Sequence, residues 1–134
     1  CALPIFPAAV LVMIVLGALV IDVGVTNLRG RELGAVADSA ANDALAALDI
    51  EALRRGDGIM IDPLRAREIV AEAVAAGPLP HARVTDLEVG TDPTGRIEIA
   101  VTLQVGVDLV LVPAIGDLDR ITLTRTGRVV ILEE

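Results

Sequence analysis

The chain has 134 residues, a formal net charge of −8, and eleven basic residues that are all arginine. This length fits one domain, and the acidity, with no basic stripe, argues against nucleic-acid binding. A single cysteine excludes an internal disulfide, and a single aromatic residue excludes the stacking platforms of many carbohydrate and single-strand binders.

The N-terminal segment is apolar. Residues 1–21 carry no charged side chain, and Asp22 follows them. A helix of this length is about 31 Å long at ~1.5 Å per residue, close to the ~30 Å hydrocarbon core of a bilayer. A signal peptide is the alternative, but its apolar region of about 7–15 residues follows basic residues and precedes a small-residue cleavage site. Neither flank is present, so we predict a retained helix in a membrane or a filament core.

Helical character is predicted to continue as an amphipathic segment over residues 22–55. Pro7 is expected to kink or delay the helix, which then runs from Ala8 to the Gly56-Asp57-Gly58 break. Small and apolar residues recur at alternating spacings of four and three, which predicts a seam against other helices. Gly24 extends the small-residue pattern, and local unwinding at the glycines is the alternative to close packing. The seam consists of Gly30, Gly34, Ala37, Ala41, Ala44 and Leu48.

Residues 62–134 are predicted to form a small α+β head. Asp62-Pro63 is a helix start, with Leu64, Ile69, Ala73 and Val74 on its apolar face and Gly77-Pro78 at its end. Alternating apolar residues then predict about three antiparallel strands. The strands are expected at 82–89 with a slip in register, at 97–107 after a turn at 92–95, and at 121–132 with a bulge near Gly127; an apolar connection is expected at 109–115.

No residue pattern predicts catalysis. His81 is isolated, Ser39 has no histidine near it in sequence, and the acids around Gly56-Asp57-Gly58 lack EF-hand spacing. We therefore expect no enzymatic activity, no metal and no cofactor.

Three elements in order resemble the TadE/TadG-like pilin family, over residues 4–47. They are Asp22-Val23-Gly24, then the run 29–33 (Arg-Gly-Arg-Glu-Leu), then the run 37–41 (Ala-Asp-Ser-Ala-Ala), all behind an apolar segment with an early proline. The resemblance implies a Tad or type IV pilus-like subunit, taken from the membrane by assembly machinery into an extracellular, homo-oligomeric filament at the cell surface. The absence of an initiator methionine and the uncharged start suggest cleavage by a prepilin-type peptidase just before Cys1.

One position departs from the family pattern. Type IV-like pilins carry a glutamate early in the mature helix, whereas here no acid precedes Asp22. Asp22 either marks the water boundary of the helix or pairs with Arg29 or Arg31 of a neighbouring copy.

The predicted function is that of a structural subunit that assembles through its N-terminal helix. Two alternatives remain open. One is a monomeric, membrane-anchored accessory or binding domain of a secretion or pilus system. The other is a lipoprotein acylated at Cys1, although lipoproteins normally follow that cysteine with a polar tether and Ala2-Leu3-Pro4-Ile5 is apolar.

Overall fold

The computed structural model describes residues 5–109 and 120–132. A long helix α1 (Ile5–Asp43) leads through a 3₁₀ turn (Ala44–Ala47) into a short helix α2 (Ile50–Arg55) and a third helix α3 (Pro63–Ala76). Three strands follow, β1 (Arg83–Thr91), β2 (Ile97–Asp108) and β3 (Arg120–Val130). The predicted α+β class, with a long N-terminal helix and a three-stranded antiparallel sheet, is confirmed.

The long helix is shorter at its C-terminal end than predicted. Leu48 leaves helical geometry with ψ 130° and pairs as an isolated bridge with Ile61. Asp49 then starts α2, because its carboxylate accepts a hydrogen bond from the Ala52 N–H at 3.0 Å. The prediction of one helix up to Arg55 is therefore wrong, and so is the predicted start at Ala8, because Pro7 lies inside α1.

Helix α3 begins and ends where the sequence predicts. The Asp62 carboxylate accepts hydrogen bonds from the Leu64 and Arg65 N–H groups, and Gly77 ends the helix. The predicted apolar face is only partly right, since Leu64 is 74% exposed. The buried side of α3 instead consists of Ala66, Val70 and Val74.

The sheet has the order β1-β2-β3, and both pairings are antiparallel. The predicted slip in β1 is confirmed as a register shift between Val84 and Asp86. The predicted bulge near Gly127 is wrong, because β3 pairs with β2 without a shift. Alternate residues of β2 from Ile99 to Val107 face the core. From residue 110 onward, the predicted apolar connection lies outside the described residues.

The core lies between the C-terminal half of α1, the sheet and α3. Leu33, Ala37 and Ala41 of α1 are fully buried with Ile99, Leu103 and Val70. At Gly127 the helix backbone packs directly on β3, where a Cβ would overlap the backbone of Ala37 and Asp38. The predicted head 62–134 therefore shares its core with α1.

Candidate functional site

The N-terminal half of α1 is mostly exposed, and from Ile5 to Gly17 it is exposed on all sides. Its large apolar side chains between Ile5 and Leu28 are 39–77% exposed, and only the face through Ala18, Asp22 and Thr26 is partly or fully covered. At ~1.5 Å per residue these 24 residues span about 36 Å. Exposed apolar patches of this extent mark a surface that another molecule or a membrane covers.

This surface carries no exposed charge. Asp22 is the single charged residue between Ile5 and Leu28, and it is only 6% exposed. It lies on the same face of α1 as Thr26 and Gly30, beside Ile121 of β3. The interpretation of Asp22 as a water-exposed boundary residue is therefore wrong.

By length and composition, α1 is able to span a membrane. The 18-residue window that meets this criterion is almost entirely exposed, unlike the core helix of a soluble protein. A signal sequence near an N-terminus meets the same criterion. The chain thus has one N-terminal apolar helix that suits membrane insertion or a signal sequence.

The two arginines predicted to pair with Asp22 differ in their contacts. The Arg29 guanidinium lies 2.8 Å from the Glu32 carboxylate, an exposed pair one turn apart on α1. Arg31 is exposed and makes no hydrogen bond or ion pair within residues 5–109 and 120–132. Arg29 therefore has a partner in its own chain, and Arg31 is the cation available to a neighbour.

The predicted small-residue seam faces mostly inward. Ala37, Ala41 and Ala44 are fully buried in the core of their own chain, so the prediction that they contact other copies is wrong. Gly30 is covered by the Arg125 side chain, whose Nη2 atom lies 3.0 Å from the position of a Cβ. Gly24 and Gly34 have open space at that position, so for them a contact with another copy stays a prediction.

The other candidate residues of the sequence lie apart from this surface. His81 is exposed in the turn before β1, and Ser39 is exposed on α1. Asp57 pairs with Arg55 at 3.0 Å, and no group of three metal-ligating side chains occurs among the described residues. Cys1, the predicted processing site, lies outside them.

A second surface of α1 was not singled out by sequence reasoning. Ala35, Ser39 and Asp43 line a groove between α1 and the end of α3. These three residues recur every four positions, as expected for one face of a helix. The series of small residues through Ala37 and Ala41, on the buried side of α1, has a similar spacing, so spacing alone does not distinguish the two faces.

A long N-terminal apolar helix packed on an antiparallel sheet is a type IV pilin-like architecture. In this chain the C-terminal half of the helix builds the core with β2, β3 and α3, while the other half projects. No family model, curated protein or solved structure matches the chain.

Proposed function

We propose that this chain is a structural, pilin-like subunit of the TadE/TadG-like kind. Its N-terminal helix is inserted in the membrane before assembly and is surrounded by copies of itself in an extracellular filament afterwards. The observation that carries the proposal is the exposure of α1 on every face from Ile5 to Gly17, and on all but the Asp22 face from there to Leu28. An amphipathic helix has one apolar side and lies on a surface, whereas a helix that is apolar all round is enclosed.

The free energy gained by burying these side chains also supports the proposal. Burying one large apolar side chain contributes about 1.5–3 kcal/mol, and this segment exposes fifteen of them. Either lipid or neighbouring helices can bury these side chains. The helix therefore suits a subunit that moves from one apolar environment to another, with its head in water throughout.

The burial of Asp22 fits this function. A carboxylate facing lipid or a dry helix bundle would be costly, whereas here it is buried within its own chain. The uncharged surface thus extends past Asp22 to Leu28, which is longer than the 21-residue run in the sequence.

Electron microscopy of material sheared from cells that express the chain tests the proposal. We expect thin filaments that contain this chain, with an N-terminus at Cys1 by sequencing. Met13→Asp places a charge in the middle of the exposed segment and should abolish filaments, since position 13 is 74% exposed. Thr124→Asp, on the exposed side of β3, is the matched control and should assemble normally.

Other outcomes contradict the proposal. A chain that is found only in the membrane fraction, with no filaments, is an anchored monomer. An N-terminus after Ile21 shows that the apolar segment was a cleaved signal, and a lipid adduct on Cys1 by intact mass identifies a lipoprotein.

A further inference from the structure

A groove of about 280 Å³ runs between α1 and the C-terminal end of α3. Its floor is formed by Val36 and Ala40, which are 8% and 1% exposed. The residues along its rims are mostly small, so another helix can approach closely. The groove is lined by Glu32, Ala35, Val36, Ser39, Ala40, Asp43, Ala73, Gly77 and Pro78.

The two acids on the α1 side of the groove differ. Glu32 is already paired with Arg29 at 2.8 Å. Asp43 is exposed and makes no capping hydrogen bond to the 3₁₀ turn that follows it. It has no ion pair within the described parts of the chain either, so one carboxylate at this end of the groove is open to an incoming cation.

A complementary surface lies nearer the N-terminus of the same helix. Val20, Val23 and Leu28 are 70%, 61% and 59% exposed. Arg31 ends this stripe and, within residues 5–109 and 120–132, has no partner. The stripe consists of Val20, Val23, Gly24, Asn27, Leu28 and Arg31.

At a shift of twelve, the residues along the centre of the two surfaces lie opposite one another. With that shift, Val20 lies opposite Glu32, and the large side chains Val23 and Leu28 flank the contact. Asn27 then faces Ser39, an amide opposite a hydroxyl. Arg31 faces Asp43, which places the unpaired cation on the unpaired carboxylate.

The two surfaces also point in different directions from the axis of α1. At ~3.6 residues per turn, a shift of twelve residues moves about 18 Å along the helix and about 120° around it. The buried face of α1, through Asp22, Gly30 and Ala37, occupies the remaining third. One helix can therefore contact its own sheet and two neighbours at once.

We propose that residues 20–31 of α1 dock in the α1–α3 groove of a second copy, with parallel helices and Arg31 paired with the neighbour's Asp43. This rests on the proposed function and specifies its subunit register. Because the two contacting surfaces differ, each copy presents both of them, and because each contact advances about 18 Å along the helix, the contact repeats without closing into a ring. Such heterologous contacts generate open helical filaments.

Charge reversal tests the pair. Arg31→Glu and Asp43→Arg should each lower filament yield about tenfold or more, since each sets like charges opposite one another. The double variant should restore most of the yield. Arg54→Glu, at an exposed arginine outside both surfaces, should assemble normally. Circular dichroism of each variant in detergent micelles verifies that the head is folded.

Disulfide cross-linking tests the register independently. Filaments of Asn27→Cys/Ser39→Cys should give ladders of covalent oligomers on mild oxidation. Asn27→Cys/Asn42→Cys is the control, because position 42 is also exposed but lies outside the groove. Both variants retain Cys1, so any background from that thiol is the same.

These experiments distinguish a wrong subunit register from a wrong proposed function. Absence of filaments from the unmodified chain contradicts the proposed function itself. Normal filaments from both single reversals, a double variant no better than the singles, or equal ladders from the two cysteine pairs would each overturn the register and leave the function standing.

Discussion

Gly127 of β3 lies directly against the backbone of Ala37 in α1, so that a Cβ on Gly127 would overlap the Ala37 carbonyl group. This contact is the closest approach of helix and sheet among the glycines of the described residues. Only a glycine lets a helix backbone approach a strand so closely.

Gly127→Ala is expected to destabilise the head. The methyl group would meet backbone atoms that cannot rotate away, so we expect a loss of about 1–3 kcal/mol or more in the free energy of unfolding. Denaturant titration in detergent micelles measures it. Gly90→Ala is the control, since a Cβ there meets nothing within 4 Å. Equal stability of the two variants would show that the helix is free to shift on the sheet.

The hairpin between β1 and β2 is expected to weaken in acid. The Thr94 hydroxyl donates to the Asp92 carboxylate at 2.6 Å, and Arg96 donates from its backbone and guanidinium, which holds the Asp92 pKa far below its ordinary value of 3.8 despite an opposing effect of burial. Because the folded-state pKa is depressed, this stabilisation is present above pH ~4 and is lost as the pH falls further.

Unfolding midpoints measured between about pH 6 and about pH 2 should therefore fall less in Asp92→Asn than in the unmodified chain. Asp86→Asn, whose carboxylate makes no hydrogen bond within the described residues, should keep the pH dependence of the unmodified chain. The same slope in both variants would mean that other carboxylates govern acid stability.

Gly34→Ala is expected to stabilise the monomer. A Cβ at Gly34 meets nothing within 4 Å, and alanine is favoured over glycine inside a helix by up to about 1 kcal/mol. In cells, Gly34→Leu tests whether this position contacts another copy. Loss of filaments with a folded head places it in a subunit contact, whereas normal filaments place it on an open face.

Asp22→Ala is expected to destabilise the monomer itself. The carboxylate is buried and takes part in a polar interaction within the chain, and leaving buried polar groups unsatisfied costs about 1–3 kcal/mol. Asn27→Ala, at an exposed position of the same helix, should stay within about 0.5 kcal/mol. Unchanged stability of Asp22→Ala would contradict an intramolecular role.

A charge swap gives a second test of the same residue. Asp22→Arg with Arg29→Asp is the natural rescue for a pair between copies, but it would bury a guanidinium where the folded chain now buries a carboxylate. We expect no recovery of filaments from it. Recovery would show that Asp22 faces a neighbouring arginine after assembly.

Sequence reasoning was most successful where the cause of a structure is local. Asp62-Pro63 starts a helix because the Asp62 carboxylate caps the first N–H groups and proline fits the first turn. The unbroken alternation of apolar residues from Ile97 to Val107 places them all on one buried face of a strand. The break at Leu48 depends instead on pairing with Ile61, thirteen residues away. Local helix propensity gives no sign of that pairing.

The candidate site was less predictable, because residue spacing identifies a face but not the partner that covers it. Ala37 and Ala41 have the spacing of a helix seam, yet their partner is the chain's own sheet rather than a second copy. Asp22 marks the end of the apolar run in the sequence, but only its burial in the folded chain shows that it turns inward.

Helix α1 runs without interruption from Ile5 to Asp43, through four glycines, and is fixed to the sheet along its second half. Within the described residues, therefore, no hinge separates the head from the exposed part of α1, residues 5–28, which forms an apolar rod. Any tilt of the rod in a bilayer or a bundle swings the whole head by the same angle. Tension applied to the rod reaches the head as shear between α1 and β3, so the resistance of a filament to pulling would depend on that contact.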